Sequence, residues 1–174
     1  MKWSSYAIAM LLVTPIIGHS TVYLTADQAM KLMFPNTALS QKSIHLTDQQ
    51  SAFLKKSSGI SYPFKADQVY KSSNGDWLII DKVLGKHEMI TYAVALNAKG
   101  IVKQIEILEY DETYGSQVRD ETWRKQFVGK TITSPLALNK DIKNISGATL
   151  SSKHITDGVK RILQFHDLVL KSLA

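Results

Sequence analysis

The spacing of apolar residues along this chain changes several times, and each change marks a different kind of element. Thr25-Ala26-Asp27-Gln28 has the pattern of a capping box. It opens a short helix that must stop before Pro35, because the residue ahead of a proline is pushed out of the helical region. Thr47-Asp48-Gln49-Gln50 repeats the device and predicts a second helix running through Leu54 toward Ser57-Ser58-Gly59. Over residues 62–110 the pattern becomes that of strands: 66–71, 77–83, 89–96 and 101–110, separated by Ser73-Asn74-Gly75-Asp76, a turn at Gly85, and Asn97-Ala98-Lys99-Gly100. Asn-Gly between apolar runs is a strong hairpin signal. The last of these strands alternates imperfectly, with Val102, Ile105 and Ile107 against Lys103 and Glu106, so its register stays open.

A loop containing Thr113-Tyr114-Gly115-Ser116 leads to a short helix over about residues 120–127, ending at Gly129. Residues 131–144 read as extended, polar and broken by Pro135. From Ser151 or Ser152 to Leu173, one stripe of Ile155, Val159, Ile162, His166, Val169 and Leu173 predicts a long amphipathic helix. The fold class expected is α+β: an antiparallel β-meander packed by the long C-terminal helix, with two short helices at the N-terminal end, residues 21–174 forming a single domain.

The first twenty residues differ from the rest. Lys2 is their only charge, residues 6–17 are nearly all apolar, and Gly18-His19-Ser20 sets small residues ahead of Thr21. That is a signal peptide with cleavage before Thr21, too short for a comfortable membrane span and carrying Pro15 near its end. The expectation is an exported, periplasmic or extracytoplasmic protein, with or without membrane association. Loss of Lys2 takes the net charge from +6 to +5, spread without a basic block, so nucleic acid is not an expected partner, and a monomer is. There is no cysteine, which excludes a disulfide framework, thiolate-held iron-sulfur clusters and C-x-x-C-H haem attachment. The five histidines lack paired metal-ligand spacing, so neither a metal site nor a catalytic residue is assigned.

The stretch richest in chemistry is Ile145-Ser146-Gly147-Ala148-Thr149-Leu150-Ser151-Ser152, at the start of the final helix. Gly147 and Ala148 keep side-chain bulk low, so backbone N–H groups can approach an anion. The hydroxyls of Ser146, Thr149, Ser151 and Ser152 add donors, and the helix N-terminus favours negative charge. A plain Ser-rich helix cap would have the same composition. A hydrolase built on Ser151 or Ser152 with His154 fails on geometry, since neighbours on one helix start form no oriented triad.

Ser146-Gly147-Ala148-Thr149-Leu150-Ser151-Ser152 resembles the flavinylation signature S-G-A-T-x-[ST]-S of the FMN-binding domain family. That domain is found in the C subunit of sodium-pumping NADH:quinone oxidoreductase and the G subunit of Rnf complexes. Glu112-Thr113-Tyr114-Gly115, followed by Trp123, Gln126, Phe127 and Gly129, is similar to the family's E-T-x-G loop and W-x-x-Q-F-x-G-K helix end, and Asp157-Gly158-Val159 continues the match over about residues 62–170.

The resemblance implies FMN held covalently by a phosphodiester to Thr149 and installed by a flavin transferase using FAD and magnesium. It implies Ser146, Gly147, Ser151 and Ser152 around the phosphate, Ala148 and Leu150 also against the cofactor, and Glu112, Thr113, Tyr114 and Gly115 against the ring. Trp123 suits either the ring's flank or the core beside Phe127. The role implied is electron transfer between a membrane-bound redox partner and an extracytoplasmic acceptor. The alternative is a sensory or binding module holding FMN or another phosphorylated ligand without a covalent bond. Where the family commonly reads D-I-D-A-I-S-G-A-T, this chain keeps Asp141 and has Lys143 at the second acidic position, from which it could pair with the phosphate. Of the remaining residues, His154 reads as solvent-facing, His166 as a hydrogen-bonded packing residue, and Glu106, Glu109, Asp111 and Glu112 as a solvated strand end. Gly158 reads as a point of close approach for another backbone or the cofactor.

Overall fold

The computed structural model describes residues 22–112 and 115–173. The leader expected over residues 1–20 lies outside them, as do Thr113 and Tyr114. Both N-terminal capping boxes form. Thr25 accepts from Gln28 N–H and Gln28 answers to Thr25 N–H at the start of α1 (Ala26–Met33); Thr47 and Gln50 do the same for α2 (Asp48–Ser58), which stops at Gly59 with φ 75°. The strands are β1 (Leu39–Lys42), β2 (Val69–Ser72), β3 (Trp77–Leu84), β4 (Met89–Leu96) and β5 (Val102–Tyr110), joined in sequence order into one antiparallel sheet. Only β1 was not foreseen. Leu39-Ser40-Gln41-Lys42 has no alternation and a single apolar residue, and it is a strand because β2 offers it an edge, with Leu39 opposite Ser72 and Lys42 opposite Val69.

The sheet is covered on both faces. Trp77, Ile79 and Val83 of β3 and Ile90, Tyr92, Val94 and Leu96 of β4 face α2 and the C-terminal helix α4 (Thr149–Leu168). Leu78, Ile80, Ala93, Ala95 and Leu108 face the other way and pack on Ala29, Met33 and Phe34 at the end of α1. Burial on two faces explains the near-continuous apolar runs of β3 and β4. The irregular alternation of β5 has a geometric cause. Its register against β4 slips twice, between Ala95 and Leu96 and between Thr91 and Tyr92, so one extra residue is inserted at each place. Val102, Ile105, Ile107 and Tyr110 thereby all reach the same core.

Between Glu121 and Phe127 there is one helical turn, α3 (Glu121–Arg124), continued as a 3₁₀ turn. The final helix begins earlier and ends earlier than the stripe suggested: Thr149 is its first residue, Leu168 its last, and Leu170–Leu173 forms a 3₁₀ turn in which Leu173 is exposed. Its buried face is also wider, taking in Thr156, Arg161, Leu163 and Phe165. Glu106 is not solvated. It is 7% exposed and bonded to Arg124 and Gln104, because the second face of the sheet is covered where a one-sided meander would leave it wet.

His166 is buried as expected, tight against the Asn97–Gly100 turn: a Cβ on Gly100 would lie 2.5 Å from its Nδ1. Its Nε2 has no partner among the described residues, and burial holds the ring below its ordinary pKa of 6.5.

Gly158 marks a close approach, but of a side chain and not of backbone or cofactor. A Cβ there would run into the Tyr92 hydroxyl and lie 2.7 Å from Tyr92 Cζ and 3.1 Å from Val83 Cγ1. Tyr92 and Val83 are both fully buried, so neither can give way. In an ordinary helix interior Gly→Ala stabilises by about 1 kcal/mol. Here the sign is expected to invert, with Gly158→Ala losing about 1–3 kcal/mol in urea unfolding through overpacking.

Candidate functional site

A sharp turn sets the entry to α4. Ala148 N–H bonds to Ile145 O at 3.0 Å, and Gly147 between them has φ 81°, a left-handed conformation in which a Cβ is costly. The approach to this turn is braced from two sides. Asp141 accepts from Leu136 N–H, Ala137 N–H at 2.9 Å and Lys130 Nζ at 2.9 Å. Partial burial alone would raise its carboxyl, and these donors carry it below the ordinary carboxylate value. Two residues later, Lys143 N–H donates to Gln126 Oε1 at 2.8 Å while Lys143 O accepts from Trp123 Nε1 at 2.8 Å. Trp123 is therefore a core brace. It is 6% exposed and edge-on to Phe127 at 5.1 Å, and it is absent from the cleft described next.

α1 and α2 are fully capped, whereas α4 has Ala148 at its N-cap and no side-chain cap. Its first ladder bond runs from Ser152 N–H to Ala148 O, which leaves the N–H groups of Thr149, Leu150 and Ser151 ahead of the ladder. They border an open cleft of about 400 Å³ lined by Gly147, Ala148, Thr149, Leu150 and Ser151 on the helix side and by Lys86, His87 and Glu112 on the other.

The far wall is the β3–β4 hairpin tip, held in place by its neighbours. Glu112 Oε1 accepts from His87 N–H at 2.6 Å and Glu88 N–H at 3.1 Å. A Cβ on Gly85 would lie 2.5 Å from the same oxygen. Burial raises the Glu112 carboxyl, but the N–H groups of His87, Glu88 and Lys86 more than reverse this, and it sits below the usual range. From α4, the half-exposed His154 has Nδ1 2.5 Å from Leu84 O and 3.2 Å from Gly85 O, so the ring pins the hairpin to the helix and does not line the cleft.

Below the cleft three segments converge. Tyr110 Oη and Ser151 Oγ are 3.0 Å apart, and Gly115, at φ 96°, packs against both Tyr110 and Ala148.

Of the residues singled out from sequence, Gly147, Ala148, Thr149, Leu150, Ser151 and Glu112 come together around the cleft, with Gly115 supporting it from beneath. Thr149 is exposed, and its Oγ1 accepts a 3.1 Å hydrogen bond from Asn144 Nδ2. Ser146 is exposed in the entry turn just outside the lining. Ser152 does not reach the cleft. It is fully buried and donates to Ala148 O at 2.8 Å, because a helix starting at Thr149 turns its fourth residue into the core. Glu112 braces the far wall through backbone N–H groups. Lys143 is exposed and does not line the cleft; its backbone, not its charge, is what the site uses.

Sequence reading missed Lys86, His87 and Asn144. A turn at Gly85 was legible, but nothing in the spacing said that its tip folds back on the start of α4. Asn144 carried no signal of its own.

Residues 85–164 match the family model described as the FMN-binding domain. The match begins at the hairpin tip and runs through β4, β5 and most of α4, so it takes in both walls of the cleft. No curated protein sequence matches the chain.

Proposed function

We propose that this chain, whose residues 85–164 match the FMN-binding domain and so support flavin binding, holds FMN covalently through a phosphodiester to Thr149, as an exported carrier passing electrons from a membrane-associated donor to an extracytoplasmic acceptor. The observation that carries this reading is the exposed Thr149 hydroxyl at an uncapped helix start, facing a cleft of about 400 Å³. Pockets for small molecules and cofactors run to roughly 300–1,000 Å³.

The residues present suit a phosphorylated flavin. The Thr149, Leu150 and Ser151 N–H groups would hold phosphate oxygens, with the helix dipole favouring their charge. Lys86 on the opposite wall adds a cation. Leu150, 42% exposed, gives an apolar edge for the ring to cover. Bound there, the flavin would supply reversible uptake and release of reducing equivalents. The protein's part is to hold it, shield one side, and set its potential through the hairpin charges. A covalent tether suits an exported protein, since no flavin pool outside the cytoplasm would replace a lost cofactor.

The test is chemical. Protein produced alongside a flavin transferase and purified is unfolded in guanidinium, and its peptides are mapped by mass. Flavin absorbance should stay with the unfolded chain, with FMN found on the fragment containing Thr149. Absorbance released on unfolding, with that fragment unmodified, would overturn the covalent reading in favour of a non-covalent FMN-binding or sensory module.

A further inference from the structure

Asn144 stands five residues ahead of Thr149, across the Ile145–Ala148 turn, and its side chain reaches back over that turn to the threonine hydroxyl. Nδ2 donates to Thr149 Oγ1 at 3.1 Å, while Oδ1 is buried and has no partner among the described residues. An orphaned buried acceptor destabilises the fold, so stability does not explain why an amide sits here. Asn144 is also held where it is. The residue before it is fixed through both backbone groups, Lys143 N–H by Gln126 and Lys143 O by Trp123, and the residue after it supplies the carbonyl that closes the turn. The braced backbone thus sets one amide N–H against one hydroxyl.

Resting on the covalent reading above, we propose that Asn144 is the positioning residue for modification of Thr149. In that step Thr149 Oγ1 attacks the phosphorus of the FMN half of an FAD-class dinucleotide. The Oγ1–P bond forms, the pyrophosphate P–O bond breaks, AMP leaves, and the hydroxyl proton passes to a base of the transferase. A threonine side chain on the first turn of a helix divides between rotamers. The Asn144 donor selects the one that holds Oγ1 at the cleft mouth with its own O–H free to be deprotonated, and it goes on donating to the oxygen as negative charge develops. Trp123 and Gln126 act one step further back, by fixing the backbone that carries Asn144.

The experiment uses the full chain, a purified flavin transferase, FAD and magnesium, with FMN transfer followed by intact mass at several chain concentrations. Asn144→Ala and Asn144→Asp both lack the donor. Each should slow transfer roughly tenfold at saturating chain while leaving the half-saturating concentration unchanged, the scale expected of one oriented hydrogen bond.

The thermal midpoint of Asn144→Ala should hold or rise, because the orphaned acceptor is gone. Transfer falling while stability does not is a signature that a merely structural role cannot produce. Transfer into Asn144→Ala at the wild-type rate would overturn the inference and leave the covalent reading standing. So would a slowing that only tracks a lowered midpoint. A wild-type chain that accepts no FMN would bring down the covalent reading itself, and this inference with it.

Discussion

Arg161→Met is expected to destabilise the protein by about 3–5 kcal/mol, measured by urea unfolding at neutral pH. The Arg161 side chain is 1% exposed and that of Asp81 5%. The guanidinium donates to Asp81 Oδ2 at 2.7 Å, to Lys82 O at 3.0 Å and to Tyr62 O at 2.7 Å, while Tyr92 Oη gives Asp81 Oδ2 a further bond at 2.7 Å. Burial alone would lower the Arg161 pKa, and the neighbouring Tyr92 and Asp81 more than offset that, so the cation is firmly held. Methionine fills similar space but strands the buried Asp81 carboxylate and takes a donor from two part-buried carbonyls.

The loss should depend on pH in a definite direction. Burial already pushes the Asp81 carboxyl up against the pull of Arg161 and Tyr92, and without the guanidinium the shift grows. A group whose pKa is raised on folding stabilises the fold below its unfolded value and loses that contribution as pH climbs through the folded value. The penalty of Arg161→Met should therefore be smallest near the ordinary Asp value of 3.8 and deepen from there toward neutral. Adding Asp81→Asn to the same chain keeps an acceptor for Tyr92 but removes the stranded charge, so the double variant should recover much of the loss. A deficit that is flat across pH would show that lost packing, not an unpaired charge, sets the cost.

Gly115→Ala should cost about 2–4 kcal/mol, far beyond the usual effect of one methyl in a loop. Two terms add. The backbone at φ 96° penalises any Cβ, and that Cβ would lie 2.5 Å from Tyr110 Oη and 2.7 Å from Ala148 Cβ. Relief requires the loop after β5 to back away from the start of α4, which breaks the Tyr110–Ser151 contact and opens the floor of the cleft. Gly129→Ala is the matched control. Its φ is 82°, close to that of Gly115, but none of the described residues lies within 4 Å of the added carbon. Only the backbone term remains there, about 1–2 kcal/mol. Equal losses in the two variants would mean that the contact between the two loops contributes nothing.

Much of this architecture was legible because it rests on local chemistry. Thr25–Gln28 and Thr47–Gln50 specify helix starts by satisfying their own backbone donors, and Asn-Gly and Gly turns between apolar runs specify a meander without reference to the rest of the chain. β1 was not legible, since a tetrapeptide with one apolar residue becomes a strand only when another edge is present. The two register slips in β5 left a trace as faulty alternation, yet which residues were inserted depended on what β4 and the core would accept. The site divides in the same way. Gly147, Thr149 and their neighbours are contiguous and could be read directly, whereas Lys86 and His87 enter the cleft from about sixty positions upstream.

By itself, then, the sequence determined the helices, the order of the strands from β2 to β5, and the contiguous run of small and hydroxyl-bearing residues at the start of α4, because capping, turn propensity and periodicity act over a few residues. Only the tertiary structure decided that α1 covers the second face of the sheet, that Ser152 and Trp123 serve the interior, that Glu112 and His154 pin a hairpin over the helix start, and that Asn144 meets Thr149. Those outcomes depend on helix phase and on contacts between distant segments: a start shifted by two residues turns every later side chain by about 200°, and no local pattern fixes that angle.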